Sequence, residues 1–206
     1  MTGTHRITSE EELKALYGTP SEAAIVKEVP RLTAEYRALI EAAPFATLAT
    51  IGPNGPDCSP RGDRPGFVRM VDEATLMLPD RRGNNRMDSL RNVLHDPRAA
   101  LLFLIPGLGI TLRVNGQAHL TTDPALLASF AEEGKEPRSV LVLEITTVFF
   151  QCARAVMRAR LWDPAAQADP RALPSAGKIL AGVTQGRIDS ETYDTEWVGR
   201  AKDSMW

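Results

Sequence analysis

Cysteine, histidine and aromatic residues are scarce in this chain of 206 residues, with two Cys, three His and only 6% Phe, Trp and Tyr. Cys58 and Cys152 form no CxxC pair, and with no sign of export two free thiols are expected rather than a disulfide. His5, His95 and His119 are scattered without ligand spacing, and HExxH is absent, so no metal site is expected. There is no GxSxG elbow for a serine hydrolase and no GxxxxGK[ST] phosphate loop. Gly107-Leu108-Gly109 opens like a dinucleotide fingerprint, but Leu112 stands where the third glycine belongs. Neither sign of charge dominates: 24 Lys+Arg against 26 Asp+Glu leave a formal net charge of -2, which argues against a dedicated nucleic-acid binder. No apolar run approaches the roughly 18 residues of a membrane span, and the first residues lack the apolar segment of a secretory signal. A cytoplasmic protein is therefore expected. With 43% hydrophobic residues the chain is no candidate for disorder. Its length suits one domain that buries about 70% of its unfolded surface without a disulfide or metal staple.

Local signals divide the chain into residues 1–43, 44–163 and 164–206. The first part reads as a helical cover. Ser9 and Glu12 fit a capping box ahead of Leu13 and Leu16, Gly18 and Pro20 stop that segment, and Thr33 caps a helix carrying Tyr36, Leu39, Ile40 and Ala43. From Phe45 the period changes. Phe45–Ile51 is uncharged and β-prone, and Gly52-Pro53-Asn54-Gly55-Pro56 turns it back into a second strand over Asp57–Arg61. Further strands are expected over Phe67–Val71, Ala74–Leu78, Ala99–Ile105, Ile110–Leu120 and Val140–Phe150. A helix with Met87, Leu90 and Leu94 on one face is inserted before the apolar Ala99–Ile105 run. Asp123-Pro124 caps another helix, Ala153–Arg160 forms a helical turn, and a Pro/Ala-rich linker over Asp163–Pro174 leads to a helical tail. The short hairpins exclude an all-parallel sheet. The fold class is mainly β or α+β: an antiparallel barrel of six to seven strands, with an inserted helix and flanking N- and C-terminal helices.

The stretch that carries chemistry is Ser59-Pro60-Arg61-Gly62-Asp63 together with the polar loop from Asp80 to Ser89. Arg61, Arg81, Arg82 and Arg86 lie at strand ends or beside a helix start, where outward backbone N–H groups and the helix dipole favour an anion. Arginine adds bidentate hydrogen bonds to phosphate oxygens, and Asn84, Asn85 and Ser89 add neutral donors. The pattern reads as a phosphate cradle for a small ligand. On composition alone it reads rather as a solvated basic loop whose arginines are answered by Asp80 and Asp88.

The run from Phe45 to Leu120 resembles the pyridoxamine 5′-phosphate oxidase-like, FMN-binding split β-barrel superfamily. The resemblance lies in the opening hairpin (PFATLATIGPNGPDCSPRGD), in the strand, polar loop and helix of TLMLPDRRGNNRMDSLRNVLHDPRAALLFLIPG, and in the strand ITLRVNGQAHLTTD. The ending VFFQCARAVMRARLWDP is similar to a bacterial subgroup of FMN-dependent enzymes with no firm substrate. The resemblance implies a homodimer with FMN at the subunit interface. By the same resemblance Ser59, Arg61 and Gly62 run beside the flavin. Ser59 takes the place of a basic phosphate contact, so that the charge falls to Arg61. Pro79 and Asp80 match the backbone segment near the ring. Asn84, Asn85 and Arg86, with Ser89 in the following turn, match phosphate contacts at the helix start. Thr111 matches a contact from the second subunit, and Trp162 a late aromatic contact. Ser59 and Thr111 also read as plain strand residues, Asp80 as a loop cap or arginine partner, and Trp162 as interface packing. Gly62 and Gly83 read as backbone permissiveness near a ligand.

The arginine-rich C-terminal signature of true pyridoxamine phosphate oxidases is absent, so vitamin B6 oxidation is not implied. The expected function is an FMN-dependent oxidoreductase of a small molecule, with no catalytic residue assigned. The alternative is a non-catalytic flavin or haem carrier on the same barrel.

Overall fold

A computed structural model describes residues 5–203 and Met205 of the chain. Seven strands form one antiparallel sheet: β1 (Phe45–Gly52), β2 (Gly55–Gly62), β3 (Arg69–Met70), β4 (Thr75–Pro79), β5 (Arg98–Leu104), β6 (Thr111–Thr121) and β7 (Val140–Gln151). Their order is β2-β1-β5-β6-β7-β4-β3, so the ladder does not close and β2 and β3 are its edges. The hairpin expected at Gly52–Gly55 forms, with Pro53 and Asn54 as the turn and Gly55 at φ +107. β2 therefore begins at Gly55 rather than Asp57. It carries Pro56 and Pro60 and pairs only with β1.

Alternation along the strands builds the core. Ala99, Leu101 and Phe103 of β5 and Leu112, Val114 and Ala118 of β6 point inward, while Ala100, Leu102 and Leu104 are only half-buried on the other face. The first four residues of β7 are apolar because both of its faces are covered. Leu141 and Leu143 join the main core, and Val140 and Val142 pack with Phe130 in a satellite cluster. At Asn115/Gly116 the β6–β7 register shifts, and a Cβ on Gly116 would lie 2.1 Å from the Glu144 carbonyl oxygen. Only glycine permits that approach.

Two expected elements differ. The strand over Phe67–Val71 shrinks to Arg69–Met70: the Phe67 N–H turns back to the Arg64 carbonyl (3.1 Å), and Phe67 and Val68 are buried as core side chains off the ladder. The inserted helix, α4 (Asp88–His95 in the numbering below), buries Ser89 and Val93, whereas Met87 and Leu94 are 46% and 75% exposed. Its inner face differs from the apolar one expected because two polar residues turn inward to hydrogen-bond the sheet, Ser89 to β2 and Asn92 to Thr50 of β1.

The helices are α1 (Glu10–Tyr17), α2 (Glu22–Val26), α3 (Ala34–Ala42), α4 (Asp88–His95), α5 (Pro124–Ser129), α6 (Arg154–Ala159), α7 (Ala176–Val183) and α8 (Ser190–Asp203). In the box at α1, Ser9 Oγ accepts from the Glu12 N–H (3.2 Å), and the Glu12 carboxylate reaches back to the Thr8 N–H (2.7 Å). Of the three N-terminal helices only α3 covers the sheet, through Tyr36 and Ile40; α1 and α2 bury no residue. Asp123 caps α5 as expected, with Pro124 in its first turn. α7 and α8 are joined by Asp194, which accepts from the Gly177 N–H (2.8 Å) and from Ser175 Oγ. Among the described residues no helix is long and apolar enough to cross a membrane, and Cys58 and Cys152 are free and exposed.

Replacing Gly116 by alanine forces the β6–β7 bulge apart and is expected to cost about 1–3 kcal/mol. Gly83→Ala, with no atom within 4 Å of the added Cβ, is expected to stay within about 1 kcal/mol of the parent. Chemical denaturation of the two variants distinguishes these outcomes, and equal stabilities would contradict the bulge geometry.

Candidate functional site

The split in the sheet is where the site forms. β4 continues past its short pairing with β3, and the backbone pairing with the start of β7 carries on as the Asp80 N–H donates to the Ser139 carbonyl (2.9 Å) and the Arg138 N–H to the Asp80 carbonyl (3.3 Å). This places Arg138 beside Asp80. β2 stands across the gap. There the contact is made by side chains: Arg61 Nη1 lies 3.9 Å from Asp80 Oδ1, and Arg81 Nε donates to Asp63 Oδ2 at 2.8 Å. Arg81 Nη1 also donates to the Phe130 carbonyl at 2.6 Å, and the Arg81 and Asp63 side chains are only 16% and 2% exposed. Arg81 is thus a strut between the arms of the sheet.

Beside the strut a cleft of about 220 Å³ opens between Arg61, Asp80, the loop through Arg86, and Arg138. A second hollow of about 360 Å³ adjoins it, shares Arg61, Asn84, Arg86 and Ser89, and reaches Asp57 and Ser59. Alternation on β2 turns Asp57, Ser59 and Arg61 to this side and Cys58, Pro60 and Gly62 to the more exposed one. Ser89, 3% exposed, donates to Asp57 Oδ2 at 2.8 Å, and its Oγ lies 2.8 Å from Ser59 Oγ. Since the one Ser89 proton goes to Asp57, Ser59 is the donor of that second bond. Burial pushes the Asp80 carboxyl above its ordinary range, against the pull of Arg61 and Arg138.

The loop is shaped by its asparagines. Asn84 Oδ1 accepts from the Arg86 N–H at 3.0 Å. Asn85 sits at φ +58 with its Oδ1 accepting from Arg138 Nη1 at 2.7 Å. Arg86 is 78% exposed and is paired with Asp88, which holds its guanidinium more firmly protonated. At the start of α4, Met87 makes no capping side-chain hydrogen bond. Helix starts leave four backbone N–H groups without intrahelical partners, and here they sit at the rim of a basic cleft. An anion is the chemistry this arrangement accommodates. Among the described residues no cluster of metal-binding side chains occurs.

Of the residues expected from the sequence, Ser59, Arg61, Asp80, Asn84, Asn85, Arg86 and Ser89 come together here, with Pro79 in the seam below, against Arg61 and Leu90. Three do not. Gly62 ends β2 opposite Phe45, Thr111 opens β6 opposite Gln151, and the Trp162 indole donates to the Leu108 carbonyl at 2.8 Å. Neither Gly62 nor Gly83 has a positive φ, so the permissiveness expected of them is not used here. Arg138 and Asp57 were missed. Asp57 had a signal, since it shares the two-residue period of Ser59 and Arg61. Arg138 had none, because its place depends on the pairing of β4 with a strand 61 positions further along (Pro79 with Val140).

Asp63→Ala leaves Arg81 without its carboxylate at a nearly closed position. It is expected to lower stability by about 1.5–3 kcal/mol, whereas Arg82→Ala, at an exposed position, stays within about 0.5 kcal/mol. Urea titration of both variants checks the strut; a neutral Asp63→Ala would contradict it.

The family model described as pyridoxamine 5′-phosphate oxidase matches residues 32–152. Among solved structures, HupZ of Group A Streptococcus is similar with a TM-score of 0.50 at 18% identity, over 59% of this chain and 94% of that one. General stress protein 26 of Bacillus anthracis has a TM-score of 0.42 at 15% identity, over 55% and 88%. A pyridoxamine 5′-phosphate oxidase-related, FMN binding protein of Nostoc punctiforme has a TM-score of 0.41 at 20% identity, over 57% and 78%. No curated protein matches the chain. The likeness to HupZ concerns the fold alone, but the family match takes in every strand of the sheet and all the residues that line the cleft, and on that match the chain belongs to the pyridoxamine 5′-phosphate oxidase family.

Proposed function

We propose that the protein is an FMN-dependent oxidoreductase of a small molecule and works as a homodimer. The observation that carries the reading is the convergence, at the split of the sheet, of a basic cleft with the uncapped start of α4. The phosphate monoester of FMN carries roughly 1.5 to 2 negative charges at neutral pH, and this is the charge that such a cleft accommodates. The two adjoining hollows, about 220 and 360 Å³, are of the order of a cofactor site, about 300–1,000 Å³. FAD would need a place for its adenylate, and the chain has no glycine-rich pyrophosphate fingerprint.

In this reading the backbone N–H groups of the loop Asn84–Arg86 and of the first turn of α4 face the phosphate end. Ser59, Arg61 and Ser89 line the ribityl side, and Pro79–Asp80 back the ring. When bound, the flavin supplies hydride and electron transfer, and the protein supplies position and electrostatic tuning. Gly62, Thr111 and Trp162 lie outside the chain's own cleft, so Thr111 and Trp162 serve as contacts to the flavin of a second subunit. The half-buried apolar residues Ala49, Ala100, Leu102 and Leu104 on the outer face of β1 and β5 favour such an association. The second reading is a flavin or haem carrier on the same barrel. It draws on the absence, among the described residues that line the cleft, of a histidine or tyrosine to act as acid or base. Against it, among the described residues neither α7 nor α8 lines the cleft, which stays open to a second molecule.

Purified protein is expected to release FMN on denaturation, identified by chromatography, and to bleach its flavin absorbance under anaerobic NADPH or NADH. FAD as the main pigment would overturn the cofactor assignment; a flavin that no reductant bleaches would favour the carrier. Light scattering is expected to give twice the 22.5 kDa chain mass, and a flavin-retaining monomer would sink the dimer reading.

A further inference from the structure

The arginines around the cleft are not equivalent, because most of them already have a carboxylate. Arg61 faces Asp80, Arg81 is tied to Asp63, and Arg86 is tied to Asp88. A guanidinium so engaged offers an incoming anion less, since the anion must share it with a fixed negative charge or displace that charge. Two cations remain. Among the described residues the side chain of Arg138 makes one hydrogen bond, to the neutral amide oxygen of Asn85 at 2.7 Å. Arg82 makes no hydrogen bond or ion pair among the described residues. Both line the same cleft as the loop Gly83–Arg86. Arg138 also lies close enough to act on Asp80 through its field, but only Arg61 reaches Asp80 as an ion pair.

We propose that Arg138, with Arg82 beside the same cleft, is the cation pair that takes the ligand's phosphate, and that Arg61 and Arg86 serve chiefly to fix the cleft walls through their aspartates. Two guanidinium groups with no ion-pair partner among the described residues match a phosphate monoester, which bears roughly 1.5 to 2 negative charges at neutral pH. The arrangement also supplies a holder for the guanidinium. Asn85, at φ +58, presents its amide oxygen to Arg138 and keeps the guanidinium in the cleft. Releasing a neutral partner is easier than releasing a carboxylate, so Arg138 is free to turn to phosphate. Its planar fork makes two parallel bonds that a lysine does not reproduce. The assignment deepens the flavin reading above and rests on it for the identity of the ligand, not for the presence of an anion site.

The test uses the full chain with FMN, riboflavin and inorganic phosphate as probes. Fluorescence titration is expected to show Arg138→Ala weakening FMN binding about 10- to 100-fold, the loss of one or two charge-assisted hydrogen bonds, with riboflavin binding unchanged. Arg138→Lys should recover part of the loss. Asn85→Ala removes the holder but keeps the cation, and should retain most of the FMN affinity; Arg91→Ala, outside the cleft, is the control. Inorganic phosphate should raise the melting temperature of the parent and not of Arg138→Ala. If Asn85→Ala costs as much as Arg138→Ala, or if riboflavin suffers with FMN, the role of Arg138 is to support the loop and the proposal falls. It also falls if Arg138→Ala leaves FMN affinity and the phosphate effect intact, or if the parent shows neither a preference for FMN nor a phosphate effect. A parent that binds no flavin but is stabilised by phosphate through Arg138 would remove the flavin reading and leave the anion assignment standing.

Discussion

The buried contact between Asp63 and Arg81 is the constraint on which the rest of the site depends. A sheet that stays open has two arms that backbone hydrogen bonds do not join, and here β2 and β4 are joined by guanidinium and carboxylate groups instead. A fixed pair so placed sets the width of the gap. It also sets the point from which the loop after β4 departs, since Arg81 is the second residue beyond that strand and is tied at both its Nε and Nη1 atoms. Everything that lines the cleft hangs from that departure point: the two asparagines, the start of α4, and through Ser89 the polar residues of β2.

A second layer of order comes from register. The pairing of β4 with β7 runs past the last strand residue, and that continuation brings Arg138 to the cleft. The bulge at Asn115/Gly116 lies on the other flank of β7 and adjusts how β6 and β7 meet. The site therefore belongs to the sheet as a whole, although most of its residues sit in one loop. Charges placed on rigid strand ends need little reordering, which would limit the ordering cost of binding an anion.

Much of this was legible in the sequence because it is local. The apolar runs of β1, β5, β6 and β7, the Pro53-Asn54-Gly55 turn, and the Asp123-Pro124 start of α5 are each written in neighbouring residues. So was the basic loop. The inner face of α4 was not, since an apolar-periodicity argument selects Met87 and Leu94 and has no means of knowing that Ser89 and Asn92 find hydrogen-bond partners on strands about 30 to 40 residues away. The same holds for the division of labour among the arginines. Composition counts them alike, and only the fold decides which have an aspartate within reach. The three residues that stay outside the cleft, Gly62, Thr111 and Trp162, came from family likeness, and one chain by itself does not bring them there.

The prolines of β2 have a consequence of another kind. An edge strand is a template on which a stray extended segment can add, and uncontrolled addition is how sheets polymerise. β2 is such an edge, eight residues long, with Pro56 and Pro60 within it. Proline has no N–H to give, so a strand laid against the open side of β2 would meet gaps in the donor row at both positions. The same arm of the sheet that keeps the cleft open is thereby poorly suited to seed fibrils or to extend a ladder into a second copy of the chain.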